Sequence, residues 1–173
     1  TRRGQDSANE LWGNAPSVLV GDFLYSRAFE IMVEPNSMEI MRILSKATNQ
    51  IAEGEVLQLL NIKNVNVSQT EYFRVIEKKT ACLFEAACKI GALLSDSSKK
   101  TINSLGDFGF HLGKAFQIID DDLDYESDSI TMGKEVGDDL SEGKITLPMI
   151  YALEKTTGKE NKLLKNAIKT ADA

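Results

Sequence analysis

Cysteine, proline and histidine are scarce in this 173-residue chain, at two, three and one copies. The two cysteines, Cys82 and Cys88, lie six apart in one helical pattern and so fall on different faces. No disulfide framework can be built from them, which suits a reducing compartment and a cytoplasmic location. They read as small apolar helix residues. The only histidine, His111, has no serine or cysteine nucleophile to partner it, and reads as a helix-surface residue. The prolines stand where helices start or break: Pro16, Pro35 and Pro148. Strand alternation, Asn-Gly hairpin turns and fixed-period repeats are missing, so the expected class is all-α. No apolar run is long enough to span a bilayer, and no leader pattern precedes the first helix, so stable membrane insertion is not expected. A basic excess is lacking as well. The net charge of −6 argues against nucleic acid or an anionic membrane surface as the main partner.

What is present is helical periodicity over a hydrophobic fraction of 42%, enough for a real core. Apolar residues recur at helical spacing from about Pro16 to Val33. After the Glu34–Ser37 break, Ser37 caps a helix running from about Met38 to Leu60. Lys63 to Val67 reads as a polar loop. Ser68 with Glu71 forms a capping box that opens a helix reaching about Leu94. Beyond the Ser95–Ser98 break, a long helix is expected from about Lys99 to Tyr125, then a loop over Gly133–Gly143. Further helices run from about Pro148 to Lys155 and from Glu160 to Thr170. Several of these segments are apolar over much of their circumference, as in the interior of a large bundle. One domain is expected over residues 1–173, and the uncapped ends at Thr1 and Ala173 suggest the middle of a longer protein.

The chemistry concentrates in Asp120, Asp121, Asp122 and Asp124. On a helix, Asp120, Asp121 and Asp124 fall near one face, with Gln117 one turn before them on the same face. Phe116, Ile118, Ile119 and Leu123 occupy the other faces and can pack. Such a crowd of carboxylates needs a positive charge against it. Oxygen-only ligands point to a hard cation such as Mg²⁺, which commonly also binds substrate phosphates. A calcium loop of the EF-hand type is the competing reading. It requires glycine at its sixth position and glutamate at its twelfth, where this chain has Tyr125 and Thr131. The segment Gly133 to Lys144 carries lysines at Lys134 and Lys144 among its glycines, and could close over a diphosphate and exclude water. Lys79-Thr80 offers a point charge beside a hydroxyl donor, and Arg2-Arg3 offers guanidinium forks suited to phosphate. Taken singly, each of these pairs reads more simply as ordinary helix surface or packing.

Taken together these residues resemble the trans-isoprenyl diphosphate synthase (polyprenyl synthetase) family. The phrase Phe116-Gln117-Ile118-Ile119-Asp120-Asp121-Asp122-Leu123-Asp124 is similar to the family's second aspartate-rich motif. Gly133-Lys134 through Gly137-Asp138-Asp139 to Lys144-Ile145-Thr146-Leu147-Pro148 resembles the flap that follows it. Arg2-Arg3-Gly4 resembles the end of the first aspartate-rich motif. Gly21-Asp22-Phe23-Leu24, Glu53-Gly54-Glu55 with Gln58, and Lys79-Thr80 fall in family order. The likeness is to the long-chain (octaprenyl-type) branch that makes quinone side chains. Two features depart from the family pattern. Asp122 replaces an apolar or aromatic residue and is expected to face solvent, and the first aspartate-rich motif is not in this sequence.

The resemblance implies an isoprenoid-synthase-type helical bundle around an apolar cavity, condensing isopentenyl diphosphate with an allylic prenyl diphosphate. It implies Mg²⁺, with Mn²⁺ able to substitute, held by Asp120, Asp121 and Asp124 with Asp138 in support. Arg2, Lys79, Thr80, Gln117, Lys134 and Lys144 are expected at the allylic diphosphate or the charge developing near it, and Arg3 at the diphosphate of isopentenyl diphosphate. A homodimer is implied too. The alternatives are a non-catalytic subunit of a heteromeric synthase, a short-chain synthase and, less well matched, a terpene cyclase. With half of the metal site in this sequence, activity is expected of the parent protein and not of these 173 residues alone.

Overall fold

The computed structural model describes residues 6–126 and 137–171. Every regular element among them is helical, as the periodicity predicts. A short α1 (Ala8–Trp12), absent from the sequence reading, opens where the Glu10 carboxylate accepts from the Ser7 N–H at 3.2 Å. Gly13, at a φ of 83°, then turns the chain into α2 (Asn14–Val33). The left-handed region that glycine enters at no steric cost separates what would otherwise be one helix.

Ser37 caps α3 (Met38–Asn61), its Oγ accepting from the Ile40 N–H. The capping box at Ser68 is fully formed: Glu71 accepts from the Ser68 N–H at 2.8 Å, and Ser68 accepts from the Glu71 N–H at 3.2 Å. It starts a rod of three consecutive segments: α4 (Gln69–Ile76), a widened π turn (Glu77–Ala81) and α5 (Cys82–Leu94). The sequence predicts one unbroken helix here, and the extra residue in its middle is not readable from periodicity. Then come α6 (Lys99–Glu126), α7 (Asp138–Ser141), α8 (Leu147–Lys155, with proline in its first turn) and α9 (Gly158–Thr170). The short α7 lies inside the segment expected to be loop.

The strongest packing is α5 against α6, and α3 flanks both α5 and the π turn. The α5–α6 approach is close because α6 presents glycine. A Cβ on Gly109 would lie 2.5 Å from the Phe84 carbonyl oxygen. A second nucleus gathers under the end of α6, where Tyr72 and Ile76 of α4 meet Leu140, Ile145, Met149 and Ile150, with Ile168 of α9 fully enclosed. This nucleus is the floor on which the acidic end of α6 rests.

Two apolar surfaces stay open. On α2, Val18, Leu19, Phe23, Leu24, Tyr25 and Ile31 are all more than half exposed. On α6, Leu105, Phe108, Leu112, Phe116 and Ile119 recur every three or four residues along one exposed stripe. Cys82 is buried and Cys88 half-buried, both as free thiols, and His111 is exposed. No helix among the described residues is long and apolar enough to cross a membrane.

Candidate functional site

The π turn, the end of α6, the far half of α3 and the α7–α8 link converge on a cleft of about 200 Å³. Its charged and polar lining is Gln58 and Asn61 from α3, Tyr72 and Lys79 from the α4 rod, Gln117, Asp120 and Asp121 from α6, and Asp139, Lys144 and Thr146. Residues from four separate stretches of sequence thus face one space that holds both carboxylates and ammonium groups.

Asp121 is the best-held carboxylate. It is 5% exposed. Its Oδ2 accepts from the Tyr72 hydroxyl at 2.6 Å, and its Oδ1 from the Gln117 amide at 2.9 Å. Gln117 in turn accepts from the Thr80 hydroxyl at 2.8 Å and reaches Asp120 at 3.4 Å. A single relay of donors therefore runs from the π turn through Gln117 to the carboxylate. Burial pushes the Asp121 carboxyl up to about 6. The hydrogen bonds from Tyr72 and Gln117 resist that rise, and the charges of Asp139 and Asp120 add to it. Burial, and then the Asp121 charge beside it, raises the Tyr72 phenol, which stays a hydrogen-bond donor at any ordinary pH.

The two cleft lysines sit on carboxylates. Lys79 donates to Gln58 Oε1 at 2.7 Å and pairs with Glu55 at 3.1 Å. Lys144 pairs with Asp139 at 3.0 Å and Glu142 at 2.5 Å. Burial alone would lower the Lys144 pKa, but the hydrogen bonds and charges of Glu142 and Asp139 more than reverse it, so Lys144 stays protonated.

The four aspartates expected to hold metal are placed unequally. Asp120 and Asp121 line the cleft. Asp124 is buried below it, and its Oδ2 accepts from the Asp139 N–H at 3.1 Å, while its backbone carbonyl accepts from Gly137. This ties α7 to α6. Asp139 lines the cleft, and its neighbour Asp138 does not. The left-handed Gly137 starts α7 so that Asp139 turns inward to Lys144. Asp122 is exposed, as expected. Lys79, Thr80, Gln117 and Lys144 come together as the sequence predicts. Arg2, Arg3 and Lys134 lie outside the described residues.

Among the described residues, no three histidine, cysteine or acidic side chains cluster tightly enough to enclose a metal ion. The donor chemistry nonetheless fits a hard cation. All the donors are oxygens, and Mg²⁺ habitually takes one or two carboxylates and completes its shell with phosphate oxygens and water.

The polyprenyl synthetase family profile matches residues 1–173. The chain belongs to that family. It is 47% identical to the octaprenyl diphosphate synthase of Escherichia coli over 167 residues, which is 96% of this chain and 52% of that protein. Its fold superposes on the crystal structure of a decaprenyl diphosphate synthase from Rhodobacter capsulatus with a TM-score of 0.91. There the identity is 43%, over 100% of this chain and 53% of that one. A polyprenyl synthase from Caulobacter crescentus, crystallised with calcium and isoprenyl diphosphate, matches with a TM-score of 0.85 at 42% identity. It is covered to 57% of its length by 98% of this chain. The chain spans about half the length of the relatives it matches. Membership in the polyprenyl synthetases establishes the all-α isoprenoid-synthase fold expected from the sequence.

Five polar cleft residues of this polyprenyl synthetase chain were not assigned a role from sequence: Gln58, Asn61, Tyr72, Asp139 and Thr146. A signal for Tyr72 was there. It lies seven residues before Lys79, two helical turns, and so on the same face. Asp139 had none, because its direction depends on the turn at Gly137.

Proposed function

We propose that the protein containing this chain is a metal-dependent prenyltransferase. It condenses isopentenyl diphosphate with an allylic prenyl diphosphate into a trans-polyprenyl diphosphate of the length used in quinone side chains. The observation that carries this reading is the single cleft in which Asp120, Asp121 and Asp139 face Lys79 and Lys144. A diphosphate needs cations, and carboxylates beside lysines supply them in two ways. The lysines act directly, and the carboxylates act by holding metal.

Asp120, Asp121 and Asp124 are the residues that would hold Mg²⁺, or Mn²⁺ in its place, with Asp138 in support; Asp124 also ties α7 to α6 through the Asp139 N–H. The ion supplies charge stabilisation to a departing diphosphate. The chain's own groups do the rest. Lys79 and Lys144 neutralise diphosphate oxygens, and Thr80 and Gln117 keep the Asp121 carboxylate turned toward the cleft. Arg2, Arg3 and Lys134, outside the described residues, keep the diphosphate-binding roles that the resemblance implies. The departing diphosphate can itself accept the proton lost after condensation, so no histidine base is needed. The hydrocarbon lies along the α6 stripe, which begins at Ile119 and Phe116 beside the carboxylates and runs back to Leu105. At about 1.5 Å per residue that path is roughly 21 Å long.

The long-chain assignment rests on identity. It is 47% to octaprenyl diphosphate synthase, against 41% to a geranylgeranyl diphosphate synthase from Methanosarcina mazei and 37% to a short-chain isoprenyl diphosphate synthase from Methanothermobacter thermautotrophicus. The open apolar face of α2 is the surface we assign to the homodimer, and the reducing location read from the cysteines is the cytoplasm.

The test uses the full-length parent protein with farnesyl diphosphate, labelled isopentenyl diphosphate and Mg²⁺. A ladder of labelled lipids ending at one length, and lost in Asp121→Ala, is expected. No incorporation with geranyl, farnesyl or geranylgeranyl starters would refute the reading.

A further inference from the structure

We infer that Gly54 and Gly113 are positioning residues: together they form a two-sided backbone seat that fixes the π turn Glu77–Ala81, and with it Lys79 and Thr80. The inference rests on the proposed diphosphate site and adds to it two residues that touch no substrate. A π turn is rare and survives only where its surroundings hold it, frequently at functional sites. Here two helices hold it.

From α3, a Cβ on Gly54 would lie 2.7 Å from the Lys79 backbone nitrogen, 3.0 Å from its Cα and 3.1 Å from the Lys78 carbonyl carbon. From α6, a Cβ on Gly113 would lie 2.7 Å from the Ala81 Cα and 3.1 Å from Phe84 Cβ and its ring. The closest of these atoms are all backbone, and unlike the tip of a side chain they cannot swing aside. Lys79 and Ala81 are two residues apart, about half a helical turn, so α3 and α6 press on opposite sides of the widened segment. Both glycines are buried.

The seat reaches the chemistry through short links. Lys79 bonds Gln58, one turn beyond Gly54 on the same helix. Thr80 bonds Gln117, one turn beyond Gly113 on α6. Each glycine therefore sets the distance between its helix and the group that this helix holds. An added methyl on either helix moves the π turn away from that helix, and one of the two links stretches past hydrogen-bond length. A displacement near 1 Å is enough to cost about a hundred-fold in a positioned site.

The experiment titrates the full-length parent protein with inorganic diphosphate and Mg²⁺ in a calorimeter, alongside steady-state kinetics. Gly54→Ala is expected to bind diphosphate about ten- to a hundred-fold more weakly and to raise KM for the allylic substrate while its unfolding remains cooperative. Gly91→Ala is the control. Gly91 is also a helical glycine, on α5, but nothing lies within 4 Å of its missing Cβ, so its diphosphate affinity stays at the wild-type value. Should Gly54→Ala not fold, Gly113→Ala presses the same turn from α6 and carries the test. Wild-type affinity in either folded glycine variant overturns the seat, as does an equal loss in Gly91→Ala. A wild-type protein that binds no diphosphate overturns the underlying functional reading, and this inference with it.

Discussion

Replacing Asp121 with asparagine removes a charge and keeps a shape. The carboxyl titrates near pH 6 in the folded chain, against an ordinary value of 3.8, chiefly because it is buried. A raised folded pKa means the native state keeps its proton longer than the unfolded chain does. The group's contribution is therefore favourable below about pH 3.8 and is lost as pH climbs to 6. At about 1.4 kcal/mol per pH unit, the ionised side chain costs the metal-free fold roughly 3 kcal/mol above pH 6. Asparagine avoids that cost. It keeps an acceptor for the Tyr72 hydroxyl, but its amide nitrogen then faces Gln117, which must turn its own amide and give up the Thr80 bond or reverse it. That rearrangement costs about 1 kcal/mol. The metal-free Asp121→Asn protein should thus be about 2 kcal/mol more stable than wild type at pH 8, and no more stable at pH 4.5, while losing prenyl transfer. Urea unfolding of the full-length protein in chelator at pH 4.5, 6 and 8 measures the difference. An unchanged difference across these pH values, or a variant less stable at pH 8, would refute the argument that a buried charge is stored here for a cation.

The remaining predictions concern the same relay, the cation and the α2 face. Tyr72→Phe removes one donor to a charged acceptor, worth about 1.5–3 kcal/mol; the Asp121 carboxyl should titrate higher than in wild type, read by NMR of the labelled side chain. Mg²⁺ with inorganic diphosphate should raise the melting temperature of the full-length protein, with about 1.4 kcal/mol gained per ten-fold excess over Kd, and chelation should reverse it. Phe23→Glu places a charge on a side chain that is 66% exposed within this chain; sedimentation should show a dimer becoming monomeric, and an unchanged assembly would place the interface elsewhere.

The helices were legible because their boundaries rest on local chemistry. Ser37, Ser68 with Glu71, and Pro148 marked starts that the structure keeps within a residue or so. The grouping of Lys79, Thr80 and Gln117 with the aspartates was legible only by resemblance, since nothing in helical spacing says that α4 lies against α6. Three features were hidden for physical reasons. The π turn leaves the apolar pattern of its helix nearly intact. That Asp139 and not Asp138 lines the cleft depends on a left-handed glycine whose effect on direction cannot be read from composition. The hydrogen bond from Tyr72 to Asp121 was hidden because the partners lie 49 residues apart, although the spacing of Tyr72 from Lys79 does put those two on one helical face.

Lys79 and Lys144 already carry carboxylate partners from their own chain, Glu55 in one case and Asp139 with Glu142 in the other. A ligand therefore enters by exchange and not by simple addition, since it must outcompete anions that are tethered at high local concentration. Under the proposed function, a diphosphate would reach these lysines by displacing Glu55, Asp139 and Glu142. The cleft's internal ion pairs would thus set a threshold that any bound anion has to exceed.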